Sequence, residues 1–245
     1  MAYVKYVQSG QYLETYQYQN DLPERHFTNK KQKRSRFIRI YAQRRVDNVR
    51  RQKKQFIRLV RANLCGNFYP ALFTFSMVES VPVECAWKIW SDFIKRARKR
   101  FGSDFRYITV IEFQKRGAPH FHALWWGLDS KLVKNERSDR TIQNIWGYGY
   151  VDCISTDGSP ALAEYLAKYM QKSLSDNRLC GKKAYRASCN VLRPVSGTHK
   201  AFFACIDQVV DKQDIVFEVK YDVQYLGRCI YKIYKSRNAP VDIIN

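Results

Sequence analysis

Phe105-Arg-Tyr-Ile-Thr-Val-Ile-Glu-Phe-Gln-Lys-Arg-Gly-Ala-Pro-His-Phe-His-Ala-Leu-Trp-Trp126 carries an antiparallel hairpin, and the surrounding domain is organised around it. Phe105 to Phe113 is rich in β-branched and aromatic residues and reads as a strand. Lys115-Arg-Gly-Ala supplies the turn, and Pro119 to Trp126 returns as a second strand. Period-two alternation puts His120 and His122 on one face of that second strand. Glu112 and Gln114 share a face of the first. With a turn over residues 115–119, Glu112 stands across from His122 and Gln114 across from His120. A turn one residue shorter moves both to the opposite face, because a single slip inverts every side chain.

Outward from the hairpin, Ala71-Leu-Phe-Thr-Phe-Ser-Met77 reads as an earlier core strand. Cys85 to Arg100 has Trp90, Phe93, Ile94 and Ala97 at helical spacing, with a cluster of cations at its C-terminal end, where they suit the helix dipole. Gly102 closes that helix. Downstream, a polar stretch from Asp129 to Arg140 precedes a short helix near Thr141 to Trp146, and Gly147 to Ile154 reads as a strand. Ser159 and Pro160 open a further helix as N-cap and first helical residue. Phe202 to Val210, Ile215 to Val223 and Arg228 to Tyr234 are further β-type runs. The order predicts an α+β domain, an antiparallel sheet with helices mainly on one face. Residues 1–24 show no periodicity, and Val49, Phe56, Ile57 and Val60 mark the apolar stripe of a basic helix. We divide the chain into a basic, partly helical N-terminal extension, 1–68, and a domain at 69–245 ending in a β-rich segment.

Forty-three Lys and Arg against 22 acidic residues leave a net charge of +21 in 245 residues, which favours a polyanionic partner, most simply nucleic acid. Residues 25–61 hold fifteen of these cations and a single acid, Asp47; this segment is either a solvated helix or an arm that tracks DNA. The seven cysteines include no Cys-x-x-Cys pair, which argues against a thiolate zinc site or a disulfide framework and for a reducing, intracellular setting. No apolar stretch approaches the ~18 residues of a membrane span, and no phosphate-binding Gly-x-x-x-x-Gly-Lys-Ser/Thr loop occurs.

Two groups of side chains carry chemistry. His120 and His122 can ligate one ion, with Glu112 or Gln114 as third ligand; Glu112 is preferred for its charge. Such a donor set tolerates Mg²⁺ or Mn²⁺ and leaves positions open for phosphate oxygens. Separately, Tyr165, Lys168 and Tyr169 fall at i, i+3 and i+4 and share a helix face. A phenol titrates near ~10, so a nucleophilic tyrosine needs help, and Lys168 is placed to give it. Each group also has a plain structural reading: two ordinary strand histidines, and an amphipathic helix packed through Leu162, Leu166 and Met170.

Together the motifs resemble the HUH endonucleases, in their rolling-circle replication initiator branch. Glu112 to Leu124 is similar to the metal motif, Phe73-Thr-Phe-Ser76 to the first strand motif, and Tyr165-Leu-Ala-Lys-Tyr-Met-Gln-Lys172 to the tyrosine motif. Trp146-Gly-Tyr-Gly is similar to the approach to the active-site helix. The paired tyrosines resemble initiators of small single-stranded DNA phages and related plasmids, and the likeness spans about residues 71–175. It implies a five-stranded antiparallel sheet with the histidines on a central strand. It further implies Mg²⁺ or Mn²⁺ on His120, His122 and Glu112, and attack by Tyr165 on single-stranded or hairpin origin DNA. The product would be a 5′-phosphotyrosine and a free 3′-hydroxyl, with Tyr169 taking the second transfer and Lys168 assisting. Lys115, Arg116 and Lys172 are candidate phosphate contacts. A separate host helicase and polymerase would be partners, in the host cytoplasm or nucleoid, with no membrane. Two alternatives remain: a non-catalytic, basic single-stranded nucleic-acid-binding module, and a transposase or relaxase with the same chemistry.

Overall fold

The computed structural model describes residues 4–21, 37–64, 69–128, 136–198 and 214–236, with backbone alone for 37–45 and 136–140. Its elements in chain order are β1 (Val4–Ser9), β2 (Tyr12–Tyr18), α1 (Phe37–Ala62), β3 (Ala71–Ser76), α2 (Val83–Phe101), β4 (Arg106–Phe113) and β5 (Pro119–Trp126). There follow α3 (Glu136–Trp146), β6 (Val151–Ser155), α4 (Ala161–Ser175), β7 (Tyr185–Ala187), β8 (Val195–Gly197), β9 (Ile215–Val223) and β10 (Gly227–Lys235). The contacts divide the chain into two units. One comprises Met1–Asn48, Arg61–Cys65 and Leu192–Asn245, and the other Val49–Val60 and Gly66–Val191.

The second unit holds the histidine hairpin. Its antiparallel sheet has the order β6-β3-β5-β4-β7, so β5 and both histidines are central. Alternation along each strand sorts the side chains. Phe73, Phe75, Ile111, Phe113, Phe121, Ala123 and Trp125 meet α2 and α3 in one aromatic-rich core. Phe105 stacks on Trp125 with centroids 4.7 Å apart, and Trp90 on Phe121 at 4.9 Å. Such pairs add roughly 0.5–1.5 kcal/mol each beyond the area they bury. Trp87, Trp90, Phe93, Ile94 and Ala97 of α2 are buried here, as the spacing predicts, and Gly102, at φ +89°, closes the helix through its N–H to the Arg98 carbonyl. The opposite face of the sheet carries His120, His122 and Glu112, and α4 packs there against β4. Ser173 Oγ donates to the Ile111 carbonyl, and Leu166, Ala167 and Met170 are buried.

The first unit is a second five-stranded antiparallel sheet, ordered β8-β1-β2-β10-β9. Residues 4–18, to which the sequence reading assigned no element, form its β1–β2 hairpin around Gly10 (φ +60°). The cause of the omission is visible in β1, where Val4, Tyr6 and Val7 are all buried and residues of both parities face inward. A strand covered on both sides does not alternate. Ile215 to Val223 and Arg228 to Tyr234 are strands as expected; Phe202 to Val210 lies outside the described residues. Two further boundaries move: α3 begins at Glu136, inside the stretch read as polar, and β6 begins only at Val151, after Gly147 (φ +74°) and Gly149 (φ +153°).

Candidate active site

The hairpin register differs from the expected one by two residues. Glu112 pairs with His120 and Val110 with His122, and the five-residue connection is 114–118. Gly117 N–H donates to the Gln114 carbonyl (2.8 Å) with φ +87°, and Gln114 N–H then donates to the Ala118 carbonyl (3.0 Å). A shift of two preserves the face, so the expected neighbours still meet, now along the diagonal. Glu112 Oε2 is 3.4 Å from His122 Nε2, and Gln114 Nε2 is 2.7 Å from His120 Nδ1. The two imidazoles stack with centroids 4.8 Å apart.

Burial governs the charge state of this cluster. Desolvation, then the neighbouring His120, holds His122 down at about 4, and desolvation lowers His120 as well. Both rings are therefore neutral near pH 7, the form with a lone pair free for a cation. His120 Nε2 is buried without a hydrogen-bond partner, an orphan of the kind a ligand satisfies. Glu112 balances its charge locally: the Lys172 ammonium lies on Oε1, opposite the side facing His122. Among the described residues no three His, Cys, Asp or Glu side chains converge as a ready-made metal cluster. The donor chemistry of two neutral imidazoles and a carboxylate nevertheless suits a hard divalent ion.

Helix α4 brings the phenols to this cluster. Pro160 already has helical dihedrals (φ −54°, ψ −23°), and Ser159 Oγ accepts from Ala161 N–H at 3.3 Å. The Tyr169 ring stacks on His122 with centroids 3.7 Å apart. Its hydroxyl donates to Tyr165 Oη at 2.7 Å, and the Tyr165 side chain is 39% exposed. Burial, then that hydrogen bond, pushes Tyr169 up to about 12. Tyr165, Tyr169 and Lys172 thus form one stripe along α4 that ends on Glu112. Lys168 is exposed on the same helix, and no described residue holds its ammonium.

The remaining candidates separate. Lys115 is exposed at the hairpin turn. Arg116 is engaged internally: Nε donates to Gln114 Oε1 (2.8 Å), and its two terminal nitrogens donate to the carbonyls of Met77 (2.7 Å) and Val78 (3.2 Å). This fork orients the Gln114 amide so that its NH₂ faces His120. The sequence reading missed that role, which no local pattern signals. It also missed Thr74, whose Oγ1 lies 3.5 Å from His122 Nδ1 on the neighbouring strand.

Residues 71–174 match the sequence model of a family of replication-associated proteins, the ORF2 family. The match runs from the first residue of β3 to within α4 and takes in every residue of the cluster. It supports a role as a replication initiator. No curated protein and no solved structure matches the chain.

Proposed function

From that likeness and the cluster's geometry, we propose that the protein is a rolling-circle replication initiator of the two-tyrosine HUH type. It would nick single-stranded origin DNA and re-join it. One observation carries the reading: two phenolic oxygens 2.7 Å apart stand beside a neutral imidazole pair and a carboxylate. His120, His122 and Glu112 would hold Mg²⁺ or Mn²⁺, which when bound supplies a Lewis acid for the scissile phosphate. The chain's own groups do the rest. Tyr169 keeps its proton and gives a hydrogen bond to Tyr165, which stabilises negative charge on Tyr165 Oη and makes Tyr165 the first nucleophile. Attack forms the Tyr165 Oη–P bond and breaks P–O3′, and the departing 3′ oxygen takes up a proton. The reverse attack by a 3′-hydroxyl re-seals the strand, with Tyr169 available for a second transfer. Lys168 and Lys115 are free to meet phosphate. A separate helicase and polymerase would complete replication.

Tyr165→Phe should abolish the covalent adduct with a labelled single-stranded origin oligonucleotide in Mn²⁺, read as a denaturation-resistant gel shift. Tyr169→Phe should reduce it without removing it. An undiminished adduct in Tyr165→Phe would transfer the first attack to Tyr169.

The non-catalytic binding module is favoured by one feature, the absence of a preassembled three-donor cluster among the described residues. In that case DNA binding persists and no adduct forms under any divalent metal.

A further inference from the structure

The histidine-bearing face of the second unit's sheet is unevenly covered. Helix α4 lies over β4 and β5, whereas the far side, β3 and the edge strand β6, presents exposed side chains. The ladder between β6 and β3 continues beyond its regular end: Ser76 N–H donates to the Tyr150 carbonyl (2.8 Å) and Val78 N–H to the Tyr148 carbonyl (3.0 Å). Tyr150 therefore stands opposite Ser76, which pairs with His120, which pairs with Glu112. One row crosses four strands, Tyr150, Ser76, His120 and Glu112, with all four on the same face by alternation. The next row is Asp152, Thr74 and His122. Ile154 follows two residues along β6.

Three observations separate this ledge from ordinary surface. Tyr150 is 73% exposed and Ile154 54%, both large for residues of a sheet whose other apolar side chains are buried. The loop bearing Tyr150 is held close to β3: a Cβ on Gly149 would lie 2.5 Å from the Ser76 carbonyl, and Trp146 Nε1 donates to that same carbonyl at 2.9 Å. The exposed ring is thus mounted on a rigid part of the site. The third observation is distance. Two strand spacings place Tyr150 about 10 Å from His120, within reach of a base near a phosphate held by the imidazoles.

We infer that the exposed edge of β6, Tyr150 with Asp152 and Ile154, is a base-binding subsite for the single DNA strand whose phosphate occupies the histidine–glutamate cluster. The inference rests on the proposed nicking reaction for the position of that phosphate. Tyr150 stacks on a base, and Ile154 gives an apolar surface to a neighbouring one. Asp152 lies between them as an exposed carboxylate. It repels backbone phosphate, so bases lie on the ledge and the backbone on the histidine side. The same carboxylate accepts hydrogen bonds from an exocyclic amine, which biases the subsite toward amino-bearing bases.

The test is fluorescence anisotropy with a labelled single-stranded origin oligonucleotide. It uses the full-length Tyr165→Phe/Tyr169→Phe protein in EDTA, so that binding is read without cleavage. Tyr150→Ala is expected to weaken binding by about 5- to 100-fold, and Tyr150→Phe to keep parental affinity. Scanning one abasic position along the oligonucleotide leaves the protein unaltered. At a single position near the cleavage point the abasic lesion should cost the parent about as much as Tyr150→Ala does, and cost Tyr150→Ala nothing further. Parental affinity in Tyr150→Ala, or equal sensitivity of both proteins to every abasic position, overturns the subsite. Adduct formation in Mn²⁺, assayed with both tyrosines intact, reports separately on the nicking reaction. Adducts with no effect of Tyr150 sink the ledge alone, and a Tyr150-dependent affinity without adducts sinks the nicking reaction alone.

Discussion

Lys172 is the residue whose position changes the account most. It sits one helical turn beyond Tyr169, and its ammonium lies on the Glu112 carboxylate that a metal would need. A divalent ion and an ammonium on one carboxylate repel. Two unit charges at 4 Å interact by about 4 kcal/mol at an effective dielectric of 20; the exposure of Lys172, 69%, reduces this greatly. Lys172 therefore acts as a resident counter-ion that a metal displaces, freeing the ammonium for phosphate. Lys172→Met should raise Mn²⁺ affinity about tenfold, one power of ten being 1.4 kcal/mol, in a calorimetric titration of the DNA-free protein. Unchanged or weaker binding would contradict the displacement. The residue types of the cluster were legible in the sequence because strand and helix periods place His120 with His122 and Tyr165 with Tyr169. The Lys172–Glu112 pair was not, because its members are sixty residues apart and meet only when α4 docks on β4.

At the scale of elements, the hairpin turn sets the site's geometry. Gly117 has φ +87°, and a side chain there would also come within 3.0 Å of Ser80 Oγ. Left-handed backbone costs a residue with a Cβ about 1–2 kcal/mol, more when it is β-branched. Gly117→Val should lower stability by about that amount in a urea titration, and should weaken Mn²⁺ binding through the diagonal contact between Glu112 and His122. An unchanged midpoint would show that the turn tolerates another conformation. Parity of register was readable from the chain, since Glu112 and the histidines share a face for any even shift. The shift itself was not, because the Gln114–Gly117 turn and its extra Gln114–Ala118 bond choose among turns of similar sequence. Helix α2 shows the opposite case: its apolar stripe and closing glycine are local features, and the structure reproduces them.

For the molecule as a whole, a net charge of +21 makes polyanion binding a general property. Affinity for single-stranded DNA should fall with salt on a log–log slope steeper than about −2, as expected when about three or more phosphates are contacted. A flat dependence would leave stacking as the main source of affinity. The first unit draws its sheet from both ends of the chain, with β2 paired to β10. Buried Glu14 accepts hydrogen bonds there from Tyr231 Oη (2.7 Å) and Tyr16 Oη (3.0 Å). No described helix is long and apolar enough to cross a membrane.

Composition, alternation and helical spacing were enough to read the α+β class, the central hairpin, the shared face of the histidines and the shared face of the tyrosines. All of these depend on residues a few positions apart, where backbone geometry alone dictates direction. Folding in three dimensions decided that Tyr169 stacks on His122, that Lys172 neutralises Glu112, that Arg116 steers Gln114, and that the N-terminal residues 4–18 form strands beside the C-terminal ones. Those outcomes come from which surfaces bury against each other, a competition among distant segments that no local pattern records.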